Sequence, residues 1–565
     1  MAINPGLTSP FLYVTIKRMN TGEAITMQHK RAFSFVLCLA LLAGLAIPAW
    51  AAGTAEGPPP FYMQALYDAG DFALRGAANG IAALLPLPGK QTVKYTSEDF
   101  YPGMERFIDQ PEGAKKWSLG YAKKTLIPEG WFDAEGNYTG KNDVYMGGGI
   151  EPVERKNPER LADDQAVRVT ALSDGSGRGT VVLASIDGYA LSSTDVRAIR
   201  ALLRDFAKDK NVVSINIGVL HQHSCIDILG MNGPLMNALF LNPLINLTGG
   251  LLPPYTGKNR EFMQNLHNTT AAAIREAVNA MKPGTLYYGT ADAARYIRDK
   301  RPPQVIDPLI HRFRFKPDDG SKETWLVNYA AHCVGLGADT REVSADYPHY
   351  MEQEVANKAN FQMIQGAQLA ITVDSGEFWT EGITRLDQVK AYGKGLGKLL
   401  KGIKKESRVE PILNVRHTQL RVPVDNPLHL LLFRYGMIEA ESVKRHWVGP
   451  AIDLITETGY MELGKDLAAV FAPGELEPCL AFGGGLTAGE AWTGKAFAFT
   501  PMKDQTRGGR KLLVFGIMND HSGYYLLPND IQSFVLFGNE EVNTAGKKAS
   551  ETLLKAFGEM MEIIN

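Results

Sequence analysis

Two histidines one residue apart, His221 and His223, follow an apolar run in VLHQHSCID (219–227). Side chains on extended backbone alternate with period two, so both imidazoles would face one side. That arrangement suits a metal ion or a catalytic pair, and it also occurs as ordinary polar residues at the end of a strand. Three more apolar runs end on groups that can ligate a metal or move a proton. ETWLVNYAAH runs into His332, KDLAAVFAPGE into Glu475, and RKLLVFGIMNDHSGYY passes through a polar turn to Tyr524. Each alone has a plain reading as a satisfied core histidine, a turn carboxylate or a buried aromatic. Together they offer two imidazoles and a carboxylate, a donor set that holds catalytic zinc and leaves room for water. Such an ion acidifies water and polarises an amide carbonyl. His223, two residues on, is placed to give a proton to a leaving amine.

The surrounding pattern shows what positions them. TVVLASIDGYAL (180–191) reads as a buried strand. After it Ser192 or Ser193 is an N-cap, and Val196, Ile199, Leu203 and Phe206 share one helical face. NVVSINIGVL (211–220) reads as a second strand, which makes a βαβ unit with parallel strands. His221 then stands at the carboxyl end of a parallel strand, where open α/β sheets place their sites. The expected fold is α/β: one large catalytic domain with parallel or mixed sheets and a zinc site at the carboxyl ends of its strands.

Composition bounds the function. The 565 residues carry a net charge of −2, with 21% charged and no long basic or acidic run. Nothing calls for nucleic acid or for electrostatic membrane binding. A basic MQHKR (27–31), an apolar AFSFVLCLALLAGLAI (32–47) and the A-x-A of PAWAAG together have the anatomy of a secretory signal. Export with cleavage near Ala51 is expected, with residues 1–26 an upstream start before Met27. Cleavage leaves Cys225, Cys333 and Cys479, too few for a disulfide scaffold. A Cys225–Cys333 or Cys333–Cys479 bridge is geometrically conceivable if the site residues converge. The alternative is three small buried thiols. Sequons at Asn137, Asn246 and Asn268 matter only in a host that glycosylates exported proteins.

The motifs HQHSCID…NGP, NYAAHCVGLGADTREVSADYPHYM, APGELEP and IMNDHSGYYLLPNDIQSF occur in that order, after LGYAKKTLIP, MGGGIEP and VVLASIDG. This ordered set resembles the neutral/alkaline (non-lysosomal) ceramidases, zinc amidases that cleave the N-acyl bond of ceramide. The resemblance spans about residues 117–557. It implies one Zn2+ per chain held by His221, His332, Glu475 and Tyr524, with His223 contacting the scissile group. Arg301 in RDKRPP aligns with an active-site arginine. The implied substrate is a ceramide-like or other N-acyl lipid.

The departures bear on mechanism. The family's GD-x-S-P serine falls near QGAQLAITVDSGEF (365–378), where Thr372 aligns with it and a shifted alignment offers Ser375. A zinc-activated water is therefore the expected nucleophile. The chain stops at Asn565, without the immunoglobulin-like domain of long family members, so the expected organisation is a leader (1–51), an N-terminal extension (52–116) and the hydrolase domain (117–565). Within the extension, residues 61–85 have a helical pattern and are expected to pack across the domain.

The leucine-rich PLMNALFLNPLINLTGGLLPPY (234–255) is broken by Asn237, Asn242, Pro243 and Asn246, which excludes a membrane span. It reads either as a buried helical hairpin or as a surface, with Leu239, Phe240 and Leu244 apolar near the zinc entrance, that touches a membrane or micelle. Two functions follow. One is an exported zinc amidohydrolase; the other is a catalytically weakened relative that keeps the zinc site and binds a lipid or partner. A metallo-β-lactamase type fits poorly, because its H-x-H-x-D-H needs Asp and His where Cys225 and Ile226 stand.

Overall fold

The computed structural model describes residues 57–85, 99–149, 157–249, 251–373, 382–446, 449–536 and 540–565, all within one compact unit, Ala52–Asn565. The leader over 1–51 and Ser375 lie outside the described residues.

Two sheets form the centre. The first contains β1 (Trp117–Thr125), β2 (Ala166–Ser173), β3 (Thr180–Ile186), β4 (Val212–Val219), β5 (Lys282–Asp292), β6 (Leu309–Pro317), β7 (Glu323–Tyr329) and β8 (Ala359–Gln365). Their order is β8-β7-β6-β5-β1-β2-β3-β4. The second runs β9 (Leu413–Pro423), β10 (Ile452–Leu463), β11 (Leu467–Phe471) and β12 (Lys511–Phe515). Both sheets are mixed. Parallel pairing is confined to β3/β4, β7/β8 and β11/β12, and these pairs supply the strands whose ends reach the site. The fold is α/β with mixed sheets, as the pattern predicts.

The βαβ unit forms as read. Ser192 Oγ accepts from Asp195 N at 3.3 Å and caps α2, and β3 pairs with β4 in parallel register from Val181↔Ser214 to Ile186↔Val219. Helices α1 (Phe61–Leu84), α2 (Ser193–Ala201), α3 (Leu235–Asn246), α4 (Arg260–Asn279), α5 (Asp346–Val355), α6 (Arg385–Gly402), α7 (Pro427–Arg434) and α8 (Ala549–Ile564) complete the domain. The helix after β3 is not continuous. Leu203 N bonds Arg200 O at 2.9 Å, a tighter three-residue closure that ends the first segment before Arg204–Asp209 begins.

One layer was not foreseen. The two sheets face each other across Leu183, Phe313, Ile364, Met461, Phe471 and Phe515, all buried in one cluster. Helix α4 covers β1 and β2 on the outside of the first sheet, and α8 covers β9 on the outside of the second. Sheet-on-sheet packing needs alternating apolar faces, and strands buried on both faces hide that alternation: every residue of β10 is buried.

Helix α1 packs across the domain as expected. Its buried Asp71 accepts from Ser533 Oγ and Phe534 N, both at 2.8 Å, and from Lys547 Nζ at 2.7 Å. Segment 234–255 is not a buried hairpin. It is a single helix with Pro243 inside, and Met236, Phe240, Leu241, Leu244 and Leu247 on it are exposed. Leu239 is half-buried. Asn242 latches the returning loop by bonding both Tyr255 O, at 2.9 Å, and Tyr255 N, at 2.6 Å, which explains one polar interruption. No helix among the described residues is long and apolar enough to cross a membrane. Neither conceivable disulfide forms: Cys225, Cys333 and Cys479 are free and buried. Burial pushes the Cys333 and Cys479 thiols well above their usual range, so all three are packing groups.

Candidate metal centre

His221 stands just beyond β4 and is fully buried. Its φ is +62°, the left-handed region that non-glycine residues rarely adopt. The H-x-H is therefore not the plain extended pair that alternation suggests. The backbone turns at His221, and the two imidazoles still meet, with ring centroids 4.9 Å apart in a T-shaped pair. Gln222 points the other way and anchors the turn. Its Oε1 accepts from Gly188 N at 2.7 Å and its Nε2 donates to Asp187 Oδ1 at 3.2 Å. His223 N then bonds Cys333 O at 3.0 Å, which draws the His332 loop alongside. Gly148 leaves room for this crossing. A Cβ there would meet His223 O at 2.1 Å, and its φ is +126°.

Glu475 arrives beyond β11 in a two-stranded parallel ladder with Tyr524, beyond β12, at the register Glu475↔Tyr524. Residues in register on parallel strands face the same side, so the carboxylate and the phenol share a face. Burial raises the Tyr524 phenol well above its usual range, and the nearby Glu475 carboxylate adds to this. The phenol stays protonated at neutral pH.

The donors converge on Glu475, whose side chain is fully buried. His221 Nε2 lies 3.1 Å from Oε1, and His332 Nε2 lies 2.9 Å from Oε2. The ligand atoms of His221, His223 and His332 all fall within 4.8 Å of one another. A tetrahedral ion with bonds of about 2.0–2.2 Å holds its ligand atoms roughly 3.4 Å apart. The spacing fits.

Protonation makes the fit more specific. His221 Nδ1 is 2.8 Å from Tyr189 O, and His332 Nδ1 is 2.7 Å from Ile371 O. A carbonyl only accepts, so both Nδ1 atoms carry the proton. In the neutral ring, Nε2 is then a lone pair aimed at the carboxylate. Burial pushes His221 down from its ordinary pKa, more than Glu475 pulls it up. Burial works to raise Glu475, but its imidazole neighbours outweigh that and hold it well below the usual carboxylate range. Two acceptors thus face each other at 3.1 Å. His221 Nε2 and Glu475 Oε2 are buried with no hydrogen-bond partner among the described residues. The short approach is not a hydrogen bond of acceptable angle, although the pair lies within ion-pair distance; the lone-pair geometry is the firmer description. A cation between the two groups satisfies both, and the Nδ1 bonds are the outer-shell contacts that orient metal-bound histidines.

The other expected residues lie differently. Thr372 is buried in a short strand, Ile371–Val373, opposite Arg298. What this strand gives the centre is the Ile371 carbonyl, which holds His332. Arg301 enters a neighbouring carboxylate cluster, with Glu541 at 3.0 Å, Glu540 at 3.2 Å, Asp530 at 3.3 Å and Glu477 at 3.7 Å. One group was missed. His521 Nε2 lies 3.4 Å from Glu475 Oε1, and the ligand atoms of His221, Glu475 and His521 are all within 4.8 Å of one another.

No family model matches the sequence, and no curated protein matches it. Solved structures do. The neutral ceramidase from Pseudomonas aeruginosa is similar in fold, with a TM-score of 0.55 and 12% identity over 80% of this chain and 75% of that chain. A ceramidase complexed with C2 is similar to the same degree, with a TM-score of 0.55 and 13% identity over 79% of this chain and 75% of that one. The chain has a neutral-ceramidase-like fold with a His/Glu cluster able to hold a metal.

Proposed function

We propose that this protein is an exported zinc-dependent amidohydrolase that cleaves the N-acyl amide bond of a ceramide-like lipid. The observation that carries the reading is the pair of tautomer-locked histidines, His221 and His332, turned onto one buried carboxylate. The fold shared with ceramidases supports the reaction class. Two imidazoles and a carboxylate match catalytic zinc sites. When bound, zinc acidifies water and polarises a carbonyl.

The chain's own groups complete the reaction. The C–N bond of the amide breaks as the oxygen of water joins the carbonyl carbon, which yields a fatty carboxylate and an amine. His223 is the half-exposed member of the histidine cluster and donates the proton that the leaving nitrogen takes up. Tyr524, kept protonated by burial, donates a hydrogen bond to the carbonyl oxygen as charge builds on it. Tyr189 stacks on His221 at 4.4 Å and seals the buried side of the centre.

The lipid class is supported by α3. Its residues 235–246 carry no charge, and Phe240 and Leu244 are 50% and 54% exposed. Such a face seats on a membrane or micelle and delivers an acyl chain, each buried methylene contributing about 0.8 kcal/mol. A second reading, a weakened relative that binds lipid without turnover, is favoured by Thr372 standing where the ceramidases carry serine. Release of labelled fatty acid from N-acyl sphingoid bases, measured with the zinc content of the same preparation, separates the two. Metal with turnover supports the hydrolase, and metal without turnover on any chain length supports the binding protein.

A further inference from the structure

We propose that His521, not Tyr524, completes the protein's ligand set, giving three imidazoles and one carboxylate from His221, His332, His521 and Glu475. This rests on the reading of the cluster as a metal centre. His521 Nε2 is 3.4 Å from Glu475 Oε1, the separation expected between two ligands of one tetrahedral ion. Its ring lies parallel to that of His221, 8° apart in plane and 5.7 Å between centroids. The side chain is 4% exposed.

The backbone holds it there. Asn519 has φ +67°, and its Oδ1 accepts from Ile217 N at 2.9 Å on the strand that leads to His221. Asp520 Oδ1 accepts from Ser193 N and from His521 N, both at 2.8 Å. Ser522 Oγ donates to Pro473 O at 2.7 Å, beside the Glu475 turn. The 519–522 loop is thus pinned to both neighbouring ligand-bearing segments, and His521 reaches Glu475 from the side opposite His332. The phenol of Tyr524, whose partners include Asn543, is then free to contact substrate. A nitrogen-rich set also favours late divalent metals over magnesium or calcium.

Cobalt tests this, because its visible spectrum reports the ligands directly. The full-length protein is loaded with Co2+, and His521→Ala, His521→Gln and Tyr524→Phe are compared with it, with affinity measured by chelator competition. The expected result is a changed visible band and about 100-fold weaker binding for both His521 variants, at the upper end of what losing a supporting contact does. Tyr524→Phe is expected to keep the parent band and bind within about 3-fold while losing activity. An unchanged band in a folded His521→Gln protein, even with weaker binding, would reduce His521 to a positioning residue and overturn the proposal. So would a changed band in Tyr524→Phe. Failure of the parent protein itself to bind Co2+ or Zn2+ would instead remove the metal reading on which both rest.

Discussion

His332 and Ile371 are joined twice: the His332 amide donates to the Ile371 carbonyl at 3.1 Å, and its ring Nδ1 donates to the same oxygen at 2.7 Å. One carbonyl therefore fixes both the backbone and the tautomer of the ligand, leaving Nε2 for Glu475. His332→Ala is expected to abolish metal binding and activity together. Metal content and fatty-acid release from the same folded preparation check this, and activity surviving without metal would contradict it.

The 371–373 strand acts through its backbone, so Thr372→Ala should keep activity within about 3-fold, the range of a substitution that leaves the centre intact. A folded, metal-loaded but inactive Thr372→Ala protein would make the hydroxyl a reacting group and the water mechanism wrong.

On α3, replacing Leu239 and Phe240 together with serine should weaken hydrolysis of long-chain N-acyl substrates about 10-fold more than of short-chain ones. That ratio corresponds to roughly 1.4 kcal/mol, or about two methylenes of lost burial. Phe240 is exposed and Leu239 half-buried, so the melting temperature should move little. Equal loss for both chain lengths would return α3 to a packing role.

Acid should destabilise the protein through two buried histidines remote from substrate chemistry. Burial pushes His417 and His429 each down to about 4. A histidine whose folded pKa is depressed stabilises the fold fully above its unfolded value of about 6.5, and that contribution is lost as pH falls toward 4. The loss is on the order of 3 kcal/mol for each. His417 Nε2 shares a 2.9 Å hydrogen bond with Ser214 Oγ, which glutamine can replace. Urea midpoints at pH 7 and pH 4.5 should differ less in His417→Gln than in the parent, and an equal difference would place the acid sensitivity elsewhere.

The site was legible where chain position determined geometry. His221, His332, Glu475 and Tyr524 each follow an apolar strand, and parallel pairing of those strands brings the ends together. The turn at His221 was not legible, since a left-handed histidine is set by the contacts of Gln222 and not by local preference. Nothing in NDHSGYY marks His521 as distinct from any polar loop residue; its approach to Glu475 depends on Asn519 and Asp520 binding segments more than 300 positions away. Arg301 illustrates the converse. Charge and motif proximity pointed to substrate, whereas four carboxylates around its guanidinium claim it.

The most direct test of the centre is the zinc stoichiometry of the purified protein after exhaustive dialysis against a weak chelator, measured by mass spectrometry of the metal. One equivalent of zinc per chain, lost in His332→Ala and in Glu475→Gln, is the expected result. A chain that retains no divalent metal, or that retains it equally in both variants, would contradict the assignment of His221, His332 and Glu475 as a metal centre.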